Sequence, residues 1–382
     1  MEVIFQGIIA QTEFSLHKEM SLMLERFKVS EEEAIRVTEE NLRPTVEQIF
    51  GKMGVPTEDA KLAADVLIRS DLRGVDTHGV SNMLRSYVAS YSSGAYNPRP
   101  NYRITRETPT TANIDCDNGL GIIIGPKAMD IAIQKAKEVG MGMVVMHNGK
   151  HAGMISYHAM MALEHDMIGM SMTSTRPSVI PTFGSEARLG TNPIALAAPA
   201  KSEPPFVFDA ATSAVASNKF QLVRRLGNLM EPGTFAAPDG TPIMEEAPVP
   251  ERPQGLPLGS TRDLGSHKGY SLGAVVDIMC AVLSGGGFGM LSGIQGNYSH
   301  MVAAYRIDAF SDVDQFKDLM DQFLRSLRET PPAPGHDRVL YAGLPEHETE
   351  LDRRMNGIPL HPEVLEWFKG ICGELSIPYT LS

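Results

Sequence analysis

The sequence predicts an α/β protein that carries a helical lobe. Three observations lead there. The first hundred residues read as helices, strand-like and helix-like stretches alternate from about residue 110, and 382 residues exceed the size at which one core stops growing. An apolar content of 42% with 21% charged residues is that of an ordinary globular chain.

Each element has its own local reason. "SEEEAIRVTEENL" opens with Ser30 and carries Glu33 three residues on, a capping-box start. "PTEDAKLAADVLIRSDL" offers Thr57 as a cap and places Ala60, Ala63, Ala64, Leu67 and Ile68 on one helical face. "SNMLRSYVASY" reads as a further short helix, closed by "SSGAYNPRPNY". "TANIDC" alternates as a strand, and "KAMDIAIQKAKEVG" is an amphipathic helix with Gly140 at its C′ position. The strand "MGMVVMH", the helix "HAGMISYHAMMALEHD" and the strands "MIGMSMTS", "NPIALAAP" and "PFVFDAA" follow. Residues 228–265 form a Pro- and Gly-rich loop of a length that is usually functional or mobile. "HKGYSLGAVVDIMCAVLSG" is a strongly apolar helix expected to be buried, "VAAYRIDAF" is a strand, and helices over 312–329 and 361–375 finish the chain.

Composition excludes several classes of function. A net charge of -12 argues against binding a phosphate backbone, although a small acidic ligand needs only one or two local cations. Cys116, Cys280 and Cys372 stand far apart with no CxxC pair, which points to no metal centre and to a reducing cytoplasm. No apolar run approaches the roughly 20 residues of a membrane helix, and "MEVIFQGIIAQTEF" has no basic region followed by a long apolar run.

Several motifs carry possible chemistry. "GLGIIIG" and "GGGFG" have the wrong spacing or context for a Rossmann pyrophosphate loop. "GYSLG" fits the hydrolase pattern GxSxG, and a triad can be drawn through Ser271, Asp308 and His347, but the preceding "STRDLGSHK" is polar where an apolar strand is required. Residues after His151 form a strand-to-helix turn whose free N–H groups suit a phosphate, and a plain βα turn answers the same pattern. Lys268 opens a helix, where a cation opposes the dipole unless an anion sits there. In "GVDTHGV", His78 titrates near neutrality and can exchange a proton with a carbonyl oxygen, with Thr77 beside it to orient the ring. If the next segment is helical, His78, Asn82 and Arg85 lie on one stripe, a set suited to a 2-oxo acid whose carboxylate pairs with Arg85. The same spacing describes a surface histidine at a helix start, and both readings stay open on spacing alone.

Taken together, "DLRGVDTHGV", "DNGLG", "HNGKHAG", "LGTNPIALAAPA", "FDAATSAVASNK" and "HKGYSLGAVVDIMCAVLSG" resemble the non-Rossmann malate/L-lactate dehydrogenase family, from about residue 40 to near the C-terminus. The resemblance implies a mixed seven-stranded sheet flanked by helices, a separate helical lobe, a homodimer, and NAD or NADP in an unusual site. It divides the chain into an extension over 1–40, a helical lobe over 41–110 completed by 311–382, and a cofactor-binding α/β domain over 111–310. It assigns the proton donor and its orienting hydroxyl to His78 and Thr77, and a substrate contact to Thr191. Cofactor contacts fall on His151, Ala152, Gly153, Met154, Ile155 and Ser156, on Asp209, Ala210 and Ala211, and on His267, Lys268 and Gly269. The family arginine that holds the substrate carboxylate corresponds to Asn82, with Arg85 one turn later, and Lys219 stands where some relatives have an aspartate. The expected activity is interconversion of a small 2-hydroxy acid and its 2-oxo acid. The alternatives are a serine hydrolase at Ser271 and a cofactor-binding homologue without 2-oxo acid turnover.

Overall fold

The computed structural model describes residues 28–291 and 296–381, so most of the extension expected over 1–40 lies outside the described residues. Ser30 accepts the Glu33 N–H at 3.3 Å, one half of a capping box, and donates its hydroxyl to the Glu33 carboxylate at 3.1 Å. No helix follows, however. The turn runs into strand β1 (Ile35–Val37), which pairs antiparallel with β11 (Ile358–Leu360) near the other end of the chain. Long-range pairing overrides the local start signal, and helix α1 (Glu39–Lys52) begins instead behind Thr38, whose side chain accepts from the Asn41 N–H. Helix α2 (Thr57–Leu72) is headed by Pro56 rather than capped by Thr57, and it buries the predicted face of Ala60, Ala63, Ala64, Leu67 and Ile68. A π-helical turn, Val80–Leu84, then leads directly into α3 (Arg85–Ser92).

After β2 (Arg103–Glu107) and β3 (Thr111–Asp115), helix α4 (Gly121–Val139) crosses to β4 (Met141–Gly149), ending on Gly140 at φ 93°. A short α5 (Ser156–Met160) and a 3₁₀ turn lead to β5 (Met167–Ser174), β6 (Ile194–Ala198), β7 (Phe206–Ala210) and α6 (Ser217–Leu226). The long loop contains a two-residue pair, β8 (Phe235–Ala236) with β9 (Gln254–Gly255). Helix α7 (Ser266–Asp277) runs on through a π turn, Ile278–Val282, and β10 (Tyr298–Arg306), α8 (Val313–Arg328), α9 (Leu344–Asn356), β11 and α10 (Pro362–Leu375) complete the chain.

The main sheet has seven strands in the order β2-β3-β4-β10-β5-β6-β7. Only β3 and β4 run parallel, so the sheet is mixed, as the family resemblance implies. A parallel pair needs a crossover of a dozen or more residues, and α4 supplies it across one face. One large core joins that face to α1, α2, α3 and α10. On the other face α7 and its π turn bring Val276 and Cys280 onto Val145, Met172 and Met301. The expectation of a buried α7 is only half met: Leu272, Val275, Ile278, Val282 and Leu283 are 42–56% exposed along its outer side. Apolarity reports that a surface avoids water; it does not report which molecule covers it.

Candidate active site

The His78 turn is pinned from below. At the end of α2 the Asp71 carboxylate accepts the Val80 N–H at 2.8 Å, while Arg353 of α9 donates to the Asp71 carbonyl at 2.5 Å and to both oxygens of Asp76 at 2.5 and 3.2 Å. Gly79 is required here, because a Cβ would collide with the Asp71 carboxylate. Burial, with Asp76 nearby, pushes the Asp71 carboxyl well above its usual range, and its Oδ1 has no partner among the described residues. Held this way, Thr77 sets its hydroxyl 2.8 Å from His78 Nδ1.

A second imidazole faces the first. Beyond β4 the chain turns through Lys150 and His151, and the carbonyls on either side of His151 are held by two buried histidines. His300 Nε2 lies 3.0 Å from the Lys150 carbonyl, and His158 Nε2 lies 3.0 Å from the Ala152 carbonyl. A Cβ on Gly121 would strike the same turn, so the "GLG" glycine serves this close approach. His151 Nδ1 accepts the Gly153 N–H at 3.2 Å and lies 2.7 Å from the Tyr87 hydroxyl. An Nδ1 that accepts a backbone N–H leaves the proton of neutral His151 on Nε2. The His151 ring stacks on His78 with centroids 5.5 Å apart and planes within 12°, and its edge meets Tyr298 at 6.1 Å. Packing screens both rings from water and lowers their pKa values, His78 to about 4.

Asn82 and Arg85 part company. The π turn uses more residues per turn than an α-helix, so the stripe expected from i, i+4 and i+7 is broken and Arg85 swings away. Its guanidinium pairs with Glu363 at 2.6 Å and lies 5.4 Å over the Trp367 ring. Asn82 stays at the site: it donates to the Thr77 carbonyl at 3.1 Å, and its buried Oδ1 has no partner among the described residues. Asn218 also donates to the Thr77 carbonyl, at 2.9 Å.

The remaining site residues cluster around the ends of β5, β6 and β7. Helix α5 starts at Ser156, not at His151, and the Ser156 N–H is already taken by Asp209 at 2.8 Å, so that end is no open phosphate site. The same bond brings Ser156 against Asp209 in β7. Thr191 accepts from the Thr212 N–H at 2.8 Å, and Gly190 is needed because a Cβ would meet Thr175. Lys268 stands in the first turn of α7, a turn that holds no acidic residue, and neighbouring His267 Nδ1 is buried with no partner among the described residues. Gly269 packs on the Leu258 backbone, itself bonded to Thr212.

Ser271 donates its hydroxyl to the His267 carbonyl at 2.7 Å within the helix, and Asp308 pairs with Arg306, so no hydrolase triad forms. Among the described residues no helix is long and apolar enough to cross a membrane, and no cluster of three His, Cys, Asp or Glu could hold a metal.

A sequence profile described as malate/L-lactate dehydrogenase matches residues 37–369. The chain belongs to this family. It is 39% identical over 352 residues to the malate dehydrogenase of Pyrococcus horikoshii, covering 91% of this chain and 97% of that one. It is 32% identical over 346 residues to the L-sulfolactate dehydrogenase of Methanocaldococcus jannaschii, covering 88% and 96%. Among solved structures, malate dehydrogenase from Entamoeba histolytica matches with a TM-score of 0.86 at 34% identity, over 90% of this chain and 99% of that one. Membership makes the protein an oxidoreductase of the hydroxyacid dehydrogenase type. Sequence reasoning missed Tyr87, Tyr298 and Asn218, whose partners are remote in sequence, although Asn218 lay inside a quoted family motif.

Proposed function

We propose that the protein interconverts a small 2-hydroxy acid and its 2-oxo acid, with NAD or NADP as hydride carrier. The observation that carries this reading is the parallel His78–His151 pair, half-buried and held in two different ways, in a chain of this family. Neutral His78 can take the hydroxyl proton during oxidation if its Nδ1–H donates to Thr77, which leaves the Nε2 lone pair free. His151 offers Nε2–H to the same substrate oxygen, a donor that strengthens as charge builds on it. Asn82, whose buried Oδ1 has no partner among the described residues, and Thr191 would supply further polar contacts to the substrate.

The residues also fit a nicotinamide dinucleotide. A cation in a helix first turn that holds no acidic residue, beside an imidazole nitrogen with no partner among the described residues, suits a phosphate-bearing group. His267, Lys268 and Gly269, with 151–156 and 209–211, would hold it; when bound, it accepts or gives the hydride. The exposed apolar side of α7 supports a homodimer, and three buried, unpaired cysteines support a reducing compartment such as the cytoplasm. A thermal-shift series with NADH and NADPH tests the cofactor: at 100 times its dissociation constant a ligand adds roughly 2.7 kcal/mol. Absorbance at 340 nm with a 2-oxo acid panel tests the activity. No shift and no turnover with either cofactor would falsify the proposal.

A further inference from the structure

Lys150 is 5% exposed, yet its ammonium has only neutral partners among the described residues. It donates to the Gly296 carbonyl at 3.2 Å and to Asn297 Oδ1 at 2.7 Å, and lies 5.8 Å over the Tyr96 ring. A buried cation without a counter-charge is costly unless a ligand supplies one. A second cation stands on the same wall. Arg176 donates from Nε to the Tyr298 hydroxyl at 3.2 Å, lies 5.6 Å over that ring, and makes no ion pair with a described residue. Tyr298 in turn meets His151, and Tyr87 links His151 to Tyr96, with ring centroids 6.3 Å apart for the two tyrosines. Arg176 follows Thr175, whose N–H donates to Asn192 at 2.9 Å, so it also borders the Thr191 segment. One buried cation without a counter-charge and one exposed cation thus stand along the aromatic wall that packs on His151, in a chain whose net charge of -12 would otherwise repel an anion. Neither is the residue that the family pattern places at position 82, where this chain has Asn82.

We propose that Lys150 and Arg176 are the specificity-determining residues of this site, each holding one anionic group of a doubly charged 2-oxo or 2-hydroxy acid. One pairs with the carboxylate beside the reacting carbon; the other takes a second carboxylate or a sulfonate on the next carbon. The inference rests on the proposed dehydrogenase reading.

Lys150→Met, Arg176→Gln and the conservative Lys150→Arg and Arg176→Lys are compared with the wild type on oxaloacetate, 3-sulfopyruvate and pyruvate at saturating cofactor. Wild type prefers the two dianions, and their relative kcat/KM values distinguish carboxylate from sulfonate. One of the neutral variants should weaken all three substrates. The other should raise KM for the dianions alone, tenfold to a hundredfold, the scale of a lost charged hydrogen bond. Conservative variants should recover much of the loss. Malonate and acetate titrated calorimetrically in the presence of NADH test the same cations without turnover. Selective malonate binding lost in the variants supports the pair even if no 2-oxo acid is reduced, an outcome that would sink the activity instead. A wild type indifferent to the second charge overturns the inference. So does a uniform loss on all substrates with a lowered Tm and weaker NADH binding.

Discussion

His78 and His151 lie face to face, 5.5 Å apart and nearly parallel, although 73 positions separate them in the chain. Neither ring bonds to a carboxylate of a described residue: Thr77 lies at one, and Gly153 and Tyr87 at the other. Burial lowers the pKa of both and so favours the neutral ring, the form needed to accept a proton from a hydroxy acid. His78→Ala should lower turnover by about 10² to 10⁴ while leaving NADH binding near wild type. A single-turnover hydride transfer that is unchanged in the variant would remove His78 from the chemistry.

The depressed His78 also sets a pH profile. kcat/KM reports the free enzyme, so for hydroxy-acid oxidation it should stay level as pH falls through 6.5 and bend only near the His78 value of about 4. An inflection close to 6.5 would mean that the ring is freely hydrated. Reduction of the oxo acid needs the protonated ring and should decline as pH rises.

Stability should respond to acid through His158 and His300, which are buried, with pKa values lowered by burial to about 4 and about 3. Both folded values lie below the ordinary 6.5, so the unfolded chain takes up protons first. The stability they contribute is complete above pH 6.5 and is lost as pH falls toward 4. Thermal unfolding followed from pH 7 to pH 4.5 should show a falling Tm, with a shallower slope in His300→Gln than in wild type.

The Asp71–Arg353 connection is a structural prediction with two arms. Arg353→Met leaves Asp76 without its partner and should cost about 3 kcal/mol, with turnover falling as the His78 turn loosens. Asp71→Asn, by contrast, should cost under about 1 kcal/mol, since burial favours the neutral carboxyl and the amide can still accept from Val80. Chemical denaturation of both variants decides it; an Asn variant as unstable as Asp71→Ala would show that the native group is charged.

Arg85 provides the contrast. Its pair with Glu363 is almost half exposed, so Arg85→Ala should change stability by less than about 1 kcal/mol and KM by less than about twofold. A large KM effect would return this residue to the substrate site.

Much of this was legible in local sequence. Alternation revealed β3, short apolar stretches revealed β4 and β5, the small-residue face of α2 revealed a packed helix, and Gly140 ended α4 where a left-handed residue was needed. The Thr77–His78 pairing was equally local. What escaped was non-local or a matter of winding. Ser30 and Glu33 form their capping contacts and still lead into a strand, because β11 lies alongside. Nothing in "VSNML" marks an extra residue per turn, so the stripe drawn through Arg85 pointed the wrong way. Lys150 sits inside the quoted "HNGKHAG", and nothing local in that stretch signals Tyr96 and Asn297 around its ammonium.

The wide coil at 80–84 reaches beyond this one molecule. Slipping a single amino acid into or out of that coil would rotate everything downstream while leaving the upstream imidazole undisturbed. A homologue with one residue more or fewer in that coil would present different side chains beyond it. Positions counted past the histidine would then no longer coincide between the two chains.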